Sequence, residues 1–313
     1  MQCNIMLFLP KDGIPPMTAS LRPRRSVLYM PASNARALEK AKTLDADGII
    51  LDLEDAVAPD AKEQARDMAC ATASAGGFGQ REVIIRVNGL ETDWGAEDVK
   101  RAAQSGAHAL CFPKISTAQA LMACHEAMER AKAPAPMQLW VMIETPLALF
   151  HLEAIAACAQ TTRLSCFVLG TNDLAKETRA RLVAGRAPML PWLMQTLAAA
   201  RLYGLDVLDG VYNNLKDDAG FIAECEQGRD MGMDGKTLIH PGQIGPANQI
   251  FAPSPEEIAQ AQKIVAAFDL PENRTKGVIP LDGRMVERMH AEMGQRVLAI
   301  ASAIAQRGSA DRI

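Results

Sequence analysis

The chain has 313 residues, 49% of them hydrophobic and 22% charged, with a formal net charge of -4 and a pI near 5.8. The acidic balance argues against a nucleic-acid partner, and no run of 18 apolar residues suggests a membrane span, so the expected partners are small molecules or copies of the chain itself. Seven cysteines at 3, 70, 111, 124, 158, 166 and 225 form no C-x-x-C pair, which reads as the reduced thiols of a cytoplasmic protein.

Residues 1 to 20 hold a short apolar patch with no basic n-region and no small-residue cleavage site, and read as a disordered or extended N-terminal segment. From residue 26 onward, short apolar runs alternate with helical periodicity. The strand-like runs are "SVLYMPA" (26 to 32), "GIILDLE" (48 to 54), "EVIIRVN" (82 to 88), "ALCFPKI" (109 to 115), "LWVMIET" (139 to 145), "CFVLGTN" (166 to 172), "LDGVYN" (208 to 213) and "GKTLIHP" (235 to 241). Helical segments between them include 34 to 44, 60 to 73, 117 to 133 and 191 to 204, several opened by Pro, Thr or Asp. Eight such units predict an α/β fold, a (β/α)8 TIM barrel over residues 21 to 252, with a doubly wound sheet as the alternative. Residues 253 to 313 fall outside the count. They contain a helix over 254 to 268, a polar link, and a second helical pattern beginning at "VIPLDGRMVE" (278 to 287). This C-terminal helical extension reads as a lid, an oligomerisation arm, or a cover for the barrel's outer face.

Catalytic groups of such a barrel gather at the carboxyl ends of its strands. The residues there are Asp52, Glu54 and Asp55, then Arg86 and Asn88, Lys114, Glu144, Asn172 and Asp173, Asn213, and His240. Glu144 and Asp173 end adjacent strands without His or Cys companions, a donor set suited to a hard cation such as Mg²⁺. The competing reading pairs Glu144 with Arg86 and leaves Asp173 as a helix cap. Arg86 interrupts an apolar strand and suits a carboxylate or an oxyanion. His240, before a Pro, reads as a hydrogen-bonded turn residue; Lys114 reads as a Schiff-base lysine or a surface cation. Phosphate-loop, dinucleotide and serine-hydrolase motifs are missing.

"RSVLYMPASNARALEKA", "ADGIILDLEDAVAPDAKEQAR", "IIRVNGLET", "VMIETPLAL", "FVLGTNDLA", "GLDVLDGVY" and "GMDGKTLIHPGQI", in that order, resemble the citrate lyase beta subunit family within the wider aldolase and citrate lyase group. The resemblance implies a barrel, usually a homotrimer, that uses Mg²⁺ to cleave or form a carbon–carbon bond in a short 3-hydroxyacyl-CoA such as malyl-CoA or citramalyl-CoA, giving acetyl-CoA and a 2-oxoacid. It implies Glu144 and Asp173 as metal ligands, Arg86 as the substrate-binding and catalytic arginine, and Asp52, Glu54 and Asp55 as holders of metal-bound water. Where relatives carry Gly-x-Met-Ile-Asp, with an Asp supplied by a neighbouring subunit, this chain has "GRMVE", so Glu287 takes the expected proton-transfer position. Two alternatives stay open: the beta subunit of a citrate lyase complex acting on a carrier-bound citryl thioester, and a malyl-CoA thioesterase or malate synthase-like enzyme.

Overall fold

Strands buried on both faces are apolar nearly throughout, and here the eight apolar runs become eight parallel strands separated by helices. The protein is described by a computed structural model covering residues 22 to 310; the N-terminal segment expected over residues 1 to 20 lies outside the described residues. The elements run β1 (Ser26–Pro31), α1 (Ala35–Ala41), β2 (Gly48–Asp52), α2 (Lys62–Ala75), β3 (Glu82–Arg86), α3 (Gly95–Ala102), β4 (Ala109–Phe112), α4 (Ala118–Arg130), β5 (Gln138–Ile143), α5 (Pro146–Leu149), α6 (Leu152–Ala157), β6 (Leu164–Leu169), α7 (Thr171–Thr178), α8 (Leu190–Leu202), β7 (Asp206–Asp209), α9 (Asp218–Met231), β8 (Gly235–Leu238) and α10 (Ile244–Ile250). Each strand pairs with the next and β8 pairs with β1, closing the expected (β/α)8 barrel.

Alternate side chains point into the barrel and out toward the helices. Val27, Ile50, Ile84, Trp140, Met142, Val168 and Leu208 fill the interior; Leu28, Ile49, Leu51, Ile85, Val141 and Phe167 belong to the layer packed under the helices. At roughly 1.5–3 kcal/mol per fully buried large aliphatic side chain, these two layers drive closure. Local signals fix the helix starts. Thr117 accepts a hydrogen bond from the Ala120 amide at 3.1 Å, and Thr145, just before Pro146, accepts from Ala148 at 3.2 Å.

The amino ends of the strands form a floor of matched charges. Arg24 reaches Glu82 with two bonds of 2.8 Å, Asp206 at 2.6 Å and Gln138 at 2.8 Å, and lies 4.7 Å from the Trp140 ring centroid. Arg25 grips Asp47 with a fork of two 2.8 Å bonds.

The C-terminal segment contains α11 (Pro255–Asp269), opened by a Ser254–Glu257 capping box, then β9 (Val278–Leu281), β10 (Arg284–Glu287) and α12 (Arg288–Ala310). The helical pattern expected from residue 278 is thus corrected. Asp282 and Gly283 both adopt left-handed backbone (φ 51 and 74), the two-residue turn that joins antiparallel strands, and helix begins only at Arg288. α12 packs along α11 and returns to the floor, where Arg307 meets Asp47 at 3.0 Å and Arg296 meets Asp234 at 3.0 Å. Among the described residues no helix is long and apolar enough to cross a membrane.

Candidate functional site

The period of two that sends Ile50, Ile84 and Met142 into the barrel sends Asp52, Arg86 and Glu144 the same way one step later, where the strands end. In the β2–β3 register Asp52 stands opposite Arg86. The guanidinium therefore meets its neighbour's carboxylate squarely: Nε donates to Oδ1 and Nη2 to Oδ2, both at 2.7 Å. Its remaining arm lies 2.7 Å from Glu54 Oε2 and 3.5 Å from Asp55 Oδ2, and its plane sits 4.8 Å from the Tyr29 ring centroid. Burial disfavours the charge, but Asp52, with Tyr29 and Glu54, more than compensates, so Arg86 is held firmly protonated. Asp52 also accepts from the Glu54 and Ala56 amides, at 2.9 and 3.2 Å, tying off the turn beyond its strand.

Glu144 is 1% exposed. Its Oε1 accepts the Lys114 amide at 2.7 Å, a donor aimed by left-handed backbone at Lys114 (φ 56). The Lys114 ammonium, for its part, pairs with Glu54. Gly170 leaves the room: a Cβ there would fall 2.4 Å from both Cβ and Oε2 of Glu144. Burial, reinforced by Glu54 and Asp173 and only partly offset by the Lys114 amide and Arg86, pushes the Glu144 carboxyl up to about 8. Asp173 lies in the first turn of α7, whose N-cap is Gly170. Neither competing reading is realised: Arg86 pairs with Asp52, Glu54 and Asp55 rather than Glu144, and Asp173 is not the cap.

A cavity of about 340 Å³ opens at the carboxyl ends of the strands, lined by Tyr29, Asp52, Asp55, Arg86, Met142, Gly170, Asp173, Asn213 and Ile239 among others. Asp52, Asp55 and Asp173 are the carboxylates in that lining; Glu144 is not in it and adjoins it through Gly170, whose Cβ position lies 2.4 Å from Glu144 Oε2. The site is short of positive charge, its donors are carboxylate oxygens, and among the described residues no three His, Cys, Asp or Glu side chains form a complete cage. That suits Mg²⁺, which commonly takes one or two protein carboxylates and leaves its other positions to water and substrate.

His240 is the turn residue expected of it, its Nδ1 accepting the Gly242 amide at 3.1 Å in a capping box with Gln243. Glu287 stands elsewhere, exposed at the end of β10 and not among the residues lining the cavity. The two contributions missed in the sequence are the Lys114 amide and the space left by Gly170. Glycine in "VLGTND" was the available sign of the second; a lysine after Pro113 gives no sign of the first.

A family profile described as HpcH/HpaI aldolase/citrate lyase matches residues 25–241. The chain is 46% identical over 293 residues to a (3S)-malyl-CoA thioesterase of Cereibacter sphaeroides, covering 94% of this chain and 100% of that one. It is 31% identical over 285 residues to citrate lyase subunit beta of Escherichia coli, covering 90% and 94% of the two chains. Protein CitE of Mycobacterium tuberculosis, solved in complex with magnesium, acetoacetate and coenzyme A, aligns with a TM-score of 0.71 at 26% identity over 90% of this chain and 100% of that one. Barrel, ordered motifs and these similarities agree, and the chain belongs to the HpcH/HpaI aldolase/citrate lyase family.

Proposed function

We propose that the protein is a cytoplasmic, Mg²⁺-dependent enzyme that hydrolyses the thioester of (3S)-malyl-CoA or a close short 3-hydroxyacyl-CoA. The observation that carries the reading is identity of 46% to a (3S)-malyl-CoA thioesterase over 94% of this chain, together with a mouth whose carboxylates lack sufficient counter-charge. In this reading Glu144 and Asp173 hold the metal. When bound, Mg²⁺ supplies a Lewis acid for the hydroxyl and carboxylate oxygens of the acyl group. Arg86, already oriented by the Asp52 fork, offers positive charge to the thioester carbonyl oxygen as negative charge gathers on it. Asp52 and Glu54 serve chiefly by holding Arg86, whereas Asp55, with 60% of its side chain exposed, is the one of the three positioned to orient water. Glu287 is exposed on β10 of the C-terminal segment rather than on the barrel, and the reading has it serve the site of a second copy in a homo-oligomer, taken to be a trimer.

A second reading, cleavage of the carbon–carbon bond to acetyl-CoA and a 2-oxoacid, is favoured by the similarity to citrate lyase subunit beta. One assay separates them. With Mg²⁺ and (3S)-malyl-CoA, free CoA and malate without glyoxylate support hydrolysis, and acetyl-CoA with glyoxylate supports cleavage. Glu144→Gln should lower turnover by more than the roughly 10–100-fold that losing an outer partner of a metal ligand costs. No turnover of this thioester, or a Glu144→Gln variant as active as the parent, overturns the proposal.

A further inference from the structure

One buried cation near the mouth has no part in the chemistry above. Lys62 opens α2 and is 7% exposed. Its Nζ donates to the Leu53 carbonyl at 2.9 Å, the Glu54 carbonyl at 2.8 Å and Asn88 Oδ1 at 2.7 Å. Three oxygens thus take its three protons, and the Trp94 ring, its centroid 5.4 Å from Nζ, closes another side. Asn88 is fixed in turn, donating to the Leu53 carbonyl at 3.1 Å and to Asp98 at 2.6 Å, while Asp98 accepts Arg66 Nε at 2.6 Å. The two carbonyls gathered by the ammonium belong to the turn that carries Glu54 onto Arg86. The same turn is joined to β3 by the Leu53 amide, which donates to the Arg86 carbonyl at 2.9 Å.

We infer that Lys62 is a positioning residue whose ammonium serves as a built-in cation, folding the Leu53–Glu54 turn around itself so that Glu54 meets Arg86 and Arg86 faces the mouth. The inference rests on the proposed role of Arg86 at the thioester carbonyl. The physical reason is that two backbone carbonyls turned inward toward one point repel each other unless a cation or a set of donors sits between them. Removing the side chain leaves three acceptor oxygens and an aromatic ring facing the place of the lost ammonium, a chemistry that suits an ammonium ion.

The test is Lys62→Ala in the full chain, assayed in sodium buffer. Misplacement of Arg86 is expected to lower kcat by roughly 10²-fold. Added NH₄⁺ should recover most of the loss, and sodium at equal ionic strength should not. Trp94 emission should shift with the same half-saturation as the recovery, and the shift should vanish in Lys62→Ala/Trp94→Phe. Lys62→Met, which fills the hole without a charge, should lose as much and recover nothing; folding of Lys62→Ala only in NH₄⁺ would also support the assignment. The inference is overturned if Lys62→Ala turns over like the parent, or if it folds normally and neither turnover nor emission responds to NH₄⁺. Should the parent itself prove inactive on the thioester, the emission titration still decides the role of Lys62, so the two failures are distinguishable.

Discussion

At the floor of the barrel, Glu82 is 2% exposed; at the mouth, Glu144 is 1% exposed, yet their carboxyls move in opposite directions. Burial pushes both upward. At Glu82 the Arg24 guanidinium, through charge and two hydrogen bonds, outweighs burial and holds the carboxyl below its ordinary range. At Glu144 a single backbone amide and a more distant Arg86 do not, and neighbouring Glu54 and Asp173 add to the rise. The Glu82 site is complete as it stands, whereas the mouth sets Asp52, Glu54, Asp55, Glu144 and Asp173 against Arg86, Lys114 and the nearby Lys62. Equal burial therefore does not imply equal purpose: matched charge holds the barrel shut, and unmatched charge at the opposite end invites a cation.

The largest effect expected from breaking this contrast is at the floor. Glu82→Gln leaves Arg24 short of its main partner, and loss of one member of a buried pair costs roughly 3–5 kcal/mol. Denaturant unfolding should show that loss with kcat intact. Because the folded-state carboxyl is depressed, its contribution is present above the unfolded-state pKa and disappears as pH falls through the folded-state one. Parent and variant should accordingly converge in stability toward acid pH; an unchanging gap would refute the assignment.

A smaller change sharpens the other side. Gly170→Ala inserts a methyl that Glu144 must avoid, and displacement of about 1 Å at a reacting centre costs roughly 10²-fold. Turnover and the Mg²⁺ concentration for half-activity should both worsen, while melting temperature changes little in comparison with Glu82→Gln. The smallest effect is at His240, near the mouth but bound to its own turn. His240→Ala should cost about 1 kcal/mol, as loss of a cap does, with kcat unchanged. A fall in kcat would move His240 from the turn into the chemistry.

The barrel was readable because parallel strands covered on both faces must be apolar along their whole length, and eight such runs stand out against amphipathic helices. The reading overshot at the carboxyl ends, taking "ALCFPKI" to residue 115 where β4 stops at Phe112, because the buried loop residue Ile115 continues the run by composition but not by hydrogen bonding. Candidate residues were legible for the same reason: a charge such as Arg86 inside an apolar strand has few places to go. What could not be read was partnership. That Arg86 belongs to Asp52 depends on the β2–β3 register, and that Lys114 serves Glu144 through its amide depends on one left-handed residue. The β9–β10 hairpin was missed although Asp282–Gly283 is a recognised turn pair, because the Met and Arg residues flanking it favour helices and masked the alternation.

The bond between Arg307 and Asp47 spans 260 residues of sequence and shares its carboxylate with Arg25, only 22 residues away. In kinetic terms the two bonds belong to different stages. The local one can form as soon as β1 and β2 pair, while closing the distant one carries a loop entropy repaid only once the barrel exists. The α12 contact is thus the late step of assembly, and weakening it with Arg307→Met should speed unfolding far more than it slows refolding.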